Sequence, residues 1–397
     1  MAQDIPQAMT DQGLDSPGDH AKDMQQLEAL DKDFPVETID ETNAFAYIQP
    51  QEFDSELSQQ NYLSQLQLVN PSPHGKVTEK ASEAIMQQIN KVAKSDGLNY
   101  YHFNSVNLDN IQIQNQNCQA IDLSLGTHKK IKFSQSDLSY STFALSAFHE
   151  CEFDNVKLER TNLAKAKFKK CQFQGSQFID NSANGAEFED CIFQNCSFTN
   201  LSVSKGLFQN CQFKECEFDE GIISDSELIK NQFENTSFIR THFMTTELIE
   251  NKFQQGLWSQ VTINNSPLIK CQFQHLALKE CGVSGDNPTI ESCAFEEVEA
   301  NTNQLARLEM SKVKIQGGKW FKNDFTYTHM RQCEWLESDA QSNSMVNLQL
   351  INCTFHKINL SHCNMMGVEF KDSQLTQCQY KGVIRVHAKR SEASITS

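Results

Sequence analysis

CIFQNCSFTNLSVSKGLFQNCQFKECEF, residues 191–218, sets Phe193, Phe198, Phe208, Phe213 and Phe218 on a five-residue grid. Cys191, Cys196, Cys211 and Cys216 stand two residues ahead of grid positions, as two C-x4-C pairs offset by 20. The grid extends in both directions. From Phe103 it passes in phase through Phe133, Phe153, Phe173, Phe233, Phe253 and Phe273 to Val283. It resumes two residues out of phase at Phe295 and runs through Ile315, Trp335 and Phe355 to Tyr380. Of the 27 Phe, only Phe34, Phe45, Phe53 and Phe321 fall elsewhere. Neither the 3.6-residue helix nor the two-residue strand alternation gives a period of five. A coil with one short side per five residues does. It points a large and a small residue inward and three residues toward water.

The coil length is legible separately. SELIKNQF (226–233), TELIENKF (246–253) and SPLIKCQF (266–273) are near-copies 20 residues apart, which is four sides. The next copy, TIESCAF (289–295), comes 22 residues after the last, so two residues are inserted within one coil. SGDNP (284–288) is the natural bulge, because Gly, Asn and Pro favour turns.

This pattern resembles the pentapeptide-repeat family, whose motif is [STAV]-[DN]-[LF]-[STR]-x, over residues 101–385, with Cys or Asn often in the place of Ala. The resemblance implies an all-β solenoid, a right-handed quadrilateral β-helix of about 14 coils, roughly 65 Å long at a rung spacing of ~4.8 Å. Ahead of it, VTEKASEAIMQQINKVA (77–93) puts Val77, Ala81, Ile85, Ile89 and Val92 on one helical face, which predicts a capping helix within 76–100. Residues 1–75 are read as an acidic, largely disordered arm with short apolar patches such as AFAYI (44–48), and 386–397 as a tail.

Net charge is −17, but residues 1–60 hold 14 acids against two lysines, −12, leaving −5 for the rest. Such a solenoid offers no basic groove, so direct nucleic-acid binding is disfavoured. No run of 18 apolar residues predicts a membrane span, and residues 1–20 carry no secretory pattern. Cytoplasmic synthesis follows, with export lacking a cleavable signal left open. Cysteine is abundant at 14, and all but Cys118 occupy the small inward column. Stacked thiols pointing one way at ~4.8 Å steps make a poor tetrahedral cage, so packing is preferred over metal, and free thiols over disulfides. His128 interrupts the large column beside Gly126, Lys129 and Lys130, which predicts a local bulge.

No phosphate loop, HExxH or GxSxG motif is present, and a filled rod has no deep substrate pocket. The expectation is a non-enzymatic interaction or scaffold rod without cofactor, catalytic residues or metal. Within the family, rods with added N-terminal regions include secreted effectors and secretion-associated proteins. Its partner is expected to be a protein, with a homodimer through a solenoid end left open. Ile229, Ile249 and Ile269 align outward as a candidate partner-binding stripe. Gln112, Gln172, Gln212, Gln232 and Gln272 line another face. Glu217, Asp219 and Glu220 form a candidate acidic patch, the feature that the alternative reading needs. That alternative is a DNA-mimicking, gyrase-binding protein like the quinolone-protection members of the family.

Overall fold

The computed structural model describes residues 37–68, 75–92, 97–286, 288–391 and 394–396. From Leu98 onward the chain winds as a four-sided parallel solenoid, and each strand pairs with the one 20 residues later, as Phe173 with Phe193 and Phe193 with Phe213. The first face is a 15-stranded sheet, from Leu108–Asp109 to Lys389–Ser391. The second and third faces merge into a 22-stranded sheet, because Lys252–Ser259 and Gln272–Lys279 run straight through their shared corner. The fourth face has a five-stranded sheet that ends at Gly282–Ser284. Pairing continues past the expected boundary at 385, since Glu369–Lys371 pairs with Lys389–Ser391 and Gln374–Thr376 with Ser394–Thr396.

The five-residue period reflects a backbone requirement as well as a burial one. Corner residues repeatedly adopt left-handed φ, among them Asn195 (53°), Asn200 (52°), Asn210 (55°) and Asn235 (49°). This conformation is costly for most residues and least so for Asn and Gly. Inside, the imposed register stacks rings in parallel. Phe173, Phe193 and Phe213 follow one another with centroids 4.7 and 4.6 Å apart and planes 6° and 1° from parallel. Rows on adjacent faces meet edge to face, as Phe193 and Phe198 do at 5.6 Å and 64°. Both arrangements suit the ring quadrupole and fill the bore.

The inserted residues sit where the repeat breaks. Leu268 pairs with Ile290 although Thr262 pairs with Gly282, so the extra length falls between Val283 and Ile290. Gly285 there has φ 132°, and a Cβ on it would strike Asn265. The shift leaves an apolar void of about 50 Å3 among Trp258, Leu278, Val283, Leu305 and Trp320.

The N-terminal end is covered by more than the expected helix. Strand β1 (Glu37–Ile39) is followed by helices α1 (Ala44–Tyr47) and α2 (Glu56–Leu68), strand β2 (Gly75–Val77) and helix α3 (Glu79–Val92). Helix α3 is the predicted cap: Thr78 Oγ1 accepts from the Ala81 amide at its N-terminus, and Ala81, Ile85 and Ile89 are buried. It rests on strand β3 (Leu108–Asp109), with Met86 Sδ 3.1 Å from the Asp109 amide. Residues 37–68 fall within the expected disordered arm. Instead β1 pairs in parallel with β2, and Ile39, Ala44 and Ile48 join the core. Tyr47 Oη donates to the Asn104 carbonyl at 2.9 Å, while Phe53 and Tyr62 pack around Tyr100. Apolar residues too sparse to make a core alone suffice when the first coil presents one. Residues 1–36 and 69–74 of the arm lie outside the described residues.

Candidate interaction faces

Ile229, Ile249 and Ile269 lie side by side on successive strands of the first face. Each is half-buried rather than freely exposed, because adjacent rungs shield an outward side chain at ~4.8 Å spacing. Gln209 bounds the row on one side and Glu291 on the other. Along its edge runs an ion ladder in which Glu250 lies 3.8 Å from Lys230 and 3.3 Å from Lys270. The result is a narrow apolar line with a charged rim.

The acidic patch is partly neutralised. Arg240, one rung below Glu220, donates from Nε to Glu220 at 3.0 Å and from Nη2 to Asp219 at 2.7 Å. Glu217 is exposed between Ser197 and Ser237. With two of three carboxylates held by one guanidinium, the patch is a weak copy of duplex phosphates. The 20-residue step from Glu220 to Arg240 was the sequence signal for this pairing.

All 14 cysteines are free thiols. Their column does more than fill space. Cys191 Sγ donates toward the Phe168 carbonyl at 3.3 Å and the Glu189 carbonyl at 3.4 Å. Ser176 and Thr236 bond the equivalent carbonyls of Phe153 and Phe213 at 2.9 and 3.1 Å. Asn231 and Asn251 do so through Nδ2, and Asn251 Oδ1 also receives the Asn231 amide at 2.9 Å. The column therefore selects small donors that tie one coil to the previous one. Burial raises the Cys281 and Cys363 thiols to about 11, which keeps them protonated donors at neutral pH. Among the described residues, no group of three or more His, Cys, Asp or Glu side chains is placed to hold a metal ion.

His128 makes no bulge. It stays in register between Leu108 and Phe148, fully buried, with its ring centroid 4.7 Å from that of Phe148. The neutral ring donates from Nε2 to the Leu123 carbonyl at 2.8 Å. Gly126 makes room, since a Cβ there would come within 2.8 Å of His128 Cε1. Burial lowers the imidazole pKa from 6.5 to about 4. A base so weak and enclosed has no access to a substrate. Among the described residues, no helix is long and apolar enough to cross a membrane.

A family model described as a pentapeptide repeat region matches residues 146–221, and a second, for pentapeptide repeats in eight copies, matches 344–378. No curated protein matches the chain. Among solved structures it is similar to HetL, a pentapeptide repeat protein involved in heterocyst differentiation regulation from the cyanobacterium Nostoc. The identity is 11% and the TM-score 0.37, over 72% of this chain and 93% of that one. QnrB1, a plasmid-mediated fluoroquinolone resistance protein, aligns at 12% identity and TM-score 0.20, over 62% of this chain and 94% of that one. Tailspike protein 3 of bacteriophage CBA120 aligns at 11% and 0.31, over 95% of this chain and 69% of that one. With a five-residue period, a 20-residue coil and both family matches inside it, the solenoid is a pentapeptide-repeat β-helix.

Proposed function

We propose that this chain is a non-enzymatic rod that binds a protein partner along its first face. The observation that carries the reading is the aligned row Ile229, Ile249 and Ile269, which holds apolar side chains outward in a line although the bore has no need of them. A strand or helix with apolar residues at matching intervals would cover the row, and the Lys230–Glu250–Lys270 ladder would supply the polar rim. The filled bore supports a role in binding rather than turnover, since stacked rings such as Phe173, Phe193 and Phe213 occupy the space beneath the faces.

A pulldown with the full chain tests the row. Ile229→Asp/Ile249→Asp should lose the partner while its circular dichroism matches wild type. Unchanged recovery would remove the row from consideration. Export as an effector or secretion adaptor is a finer reading of the same rod, and secretion of the full chain by its native host tests it. A homodimer through the C-terminal end would show as a doubled mass in solution. Gyrase binding is the competing reading, and unaltered supercoiling at micromolar protein would eliminate it.

A further inference from the structure

The first face changes character along the rod. Near the capped end, three successive rungs and the corner beside them form a basic island in an acidic protein. Residues 127–132, 147–152 and 167–172 hold six lysines (Lys129, Lys130, Lys132, Lys167, Lys169 and Lys170) against Glu150 and Glu152, a balance of +4. Half of these lysines are paired locally, as Lys132 lies 2.7 Å from Glu152, Lys167 2.9 Å from Glu187 and Lys169 2.9 Å from Glu189. Lys129, Lys130 and Lys170 are exposed and hold no carboxylate within 4.0 Å among the described residues. Between Lys130, Lys132, Lys170 and Gln172, with Glu150 and Glu152 also in its lining, the surface dips into a shallow concavity of about 450 Å3.

We propose that residues 1–36 of the same chain dock on this island. Charge is complementary: the segment holds eight acids, Asp11, Asp15, Asp19 and Asp23 among them, and two lysines, a balance of −6. Attachment is close. The segment enters the structure at Glu37, in the strand beside the start of α3, and α3 rests on β3, the first rung of the same face. From β3, Lys129 is one rung away and Lys170 three, or ~14 Å at the usual strand spacing. Thirty-six residues taken as an ideal coil would span ~30–36 Å root-mean-square, which brings the island within reach. Lys381 and Lys389, at the far end of the rod some 65 Å away, lie at about twice that span and would be reached far less often. Tethering also raises the segment's effective concentration to the millimolar range, which favours its own island over that of another copy. The docked segment would lie three rungs above Ile229, because Lys169, Glu189, Gln209 and Ile229 stack in one row. The docking itself does not depend on the isoleucine reading.

Zero-length carbodiimide cross-linking of the full chain, mapped by mass spectrometry, tests the proposal. At low salt, acids of residues 1–36 should join Lys129, Lys130 or Lys170 within the monomer. These links should fall to background near ~1 M salt, where the screening length is ~3 Å. They should also fall in Asp11→Asn/Asp15→Asn/Asp19→Asn/Asp23→Asn, which leaves the solenoid untouched. The Lys357–Glu337 link, 3.0 Å apart, reports that the rod is folded in every sample. Three results would each overturn the proposal. They are no arm links while that control forms, arm links spread evenly over lysines along the rod, and arm links only between chains.

Discussion

Acidification should weaken this rod through His128 before its carboxylates titrate. The ring is buried between Leu108 and Phe148, and Nε2 already donates to the Leu123 carbonyl. Protonation would add a donor at Nδ1, which is buried with no hydrogen-bond partner. The imidazole therefore has a pKa of about 4 in the folded chain against an ordinary 6.5. Because the folded value is depressed, the unfolded chain takes up the proton first. The contribution is complete above pH 6.5 and is lost as pH falls toward 4. Each pH unit in that window is worth ~1.4 kcal/mol, so about 3 kcal/mol is involved overall and ~2 kcal/mol between pH 7.5 and 5.0. Urea midpoints of wild type and His128→Phe, followed by far-UV circular dichroism at both pH values, isolate the effect. Phe continues the ring row and cannot titrate, while the remaining groups are shared and cancel. His128→Leu serves as a second reference should Phe overpack. Wild type should lose ~2 kcal/mol more than either variant. Parallel losses in all three chains would refute the reasoning.

Cys191→Ser should stay within ~1 kcal/mol of wild type in thermal unfolding, because a hydroxyl keeps the bond to the previous coil, whereas Cys191→Ala should cost ~1–3 kcal/mol. Asn323→Leu should cost several kcal/mol, roughly 1–3 for each group left unpaired. The substitution strands the Asn303 amide, leaves Asn303 Nδ2 only the Leu278 carbonyl and takes the Asn323 Nδ2 donor from the Ala300 carbonyl, all three groups now within 3.0 Å of an Asn323 atom. Gly126→Ala should destabilise by ~1–3 kcal/mol through overpacking against the Val106 carbonyl and the His128 ring, and its penalty should be smaller when measured in a His128→Ala background.

Much of the rod was legible because its pattern repeats a single physical requirement. Every fifth residue must fill the bore, so the period appears in Phe placement, and the out-of-phase restart at Phe295 marks the insertion that pairs Leu268 with Ile290. The capping face of α3 was visible for the same reason, as Ala81, Ile85 and Ile89 recur at helical spacing. What escaped depended on neighbours rather than period. Ile39, Ala44 and Ile48 are too few to predict a fold until the first coil is there to receive them. His128 read as a break because a polar ring opposes the pattern, yet the space at Gly126 and the Leu123 carbonyl satisfy it in place. The thiol bonds of the small column were hidden in a residue type that packs equally well as filler. The surface pairing of Arg240 with Glu220 becomes readable only once residues 20 apart are known to be adjacent.

The uniform pairing step also bears on how so long a chain finds its fold. Strand partners lie 20 residues apart, or 22 across the insertion, in a chain of 397. The relative contact order of the rod is therefore about 0.05, below even the values usual for helical bundles, although every face is parallel sheet. Loop-closure entropy is the same for the last coil as for the first, and no strand waits on a distant partner. A pentapeptide solenoid should thus add coils one after another from its capped end, and a coil that opens locally can re-form on the coil above it without unfolding the rest.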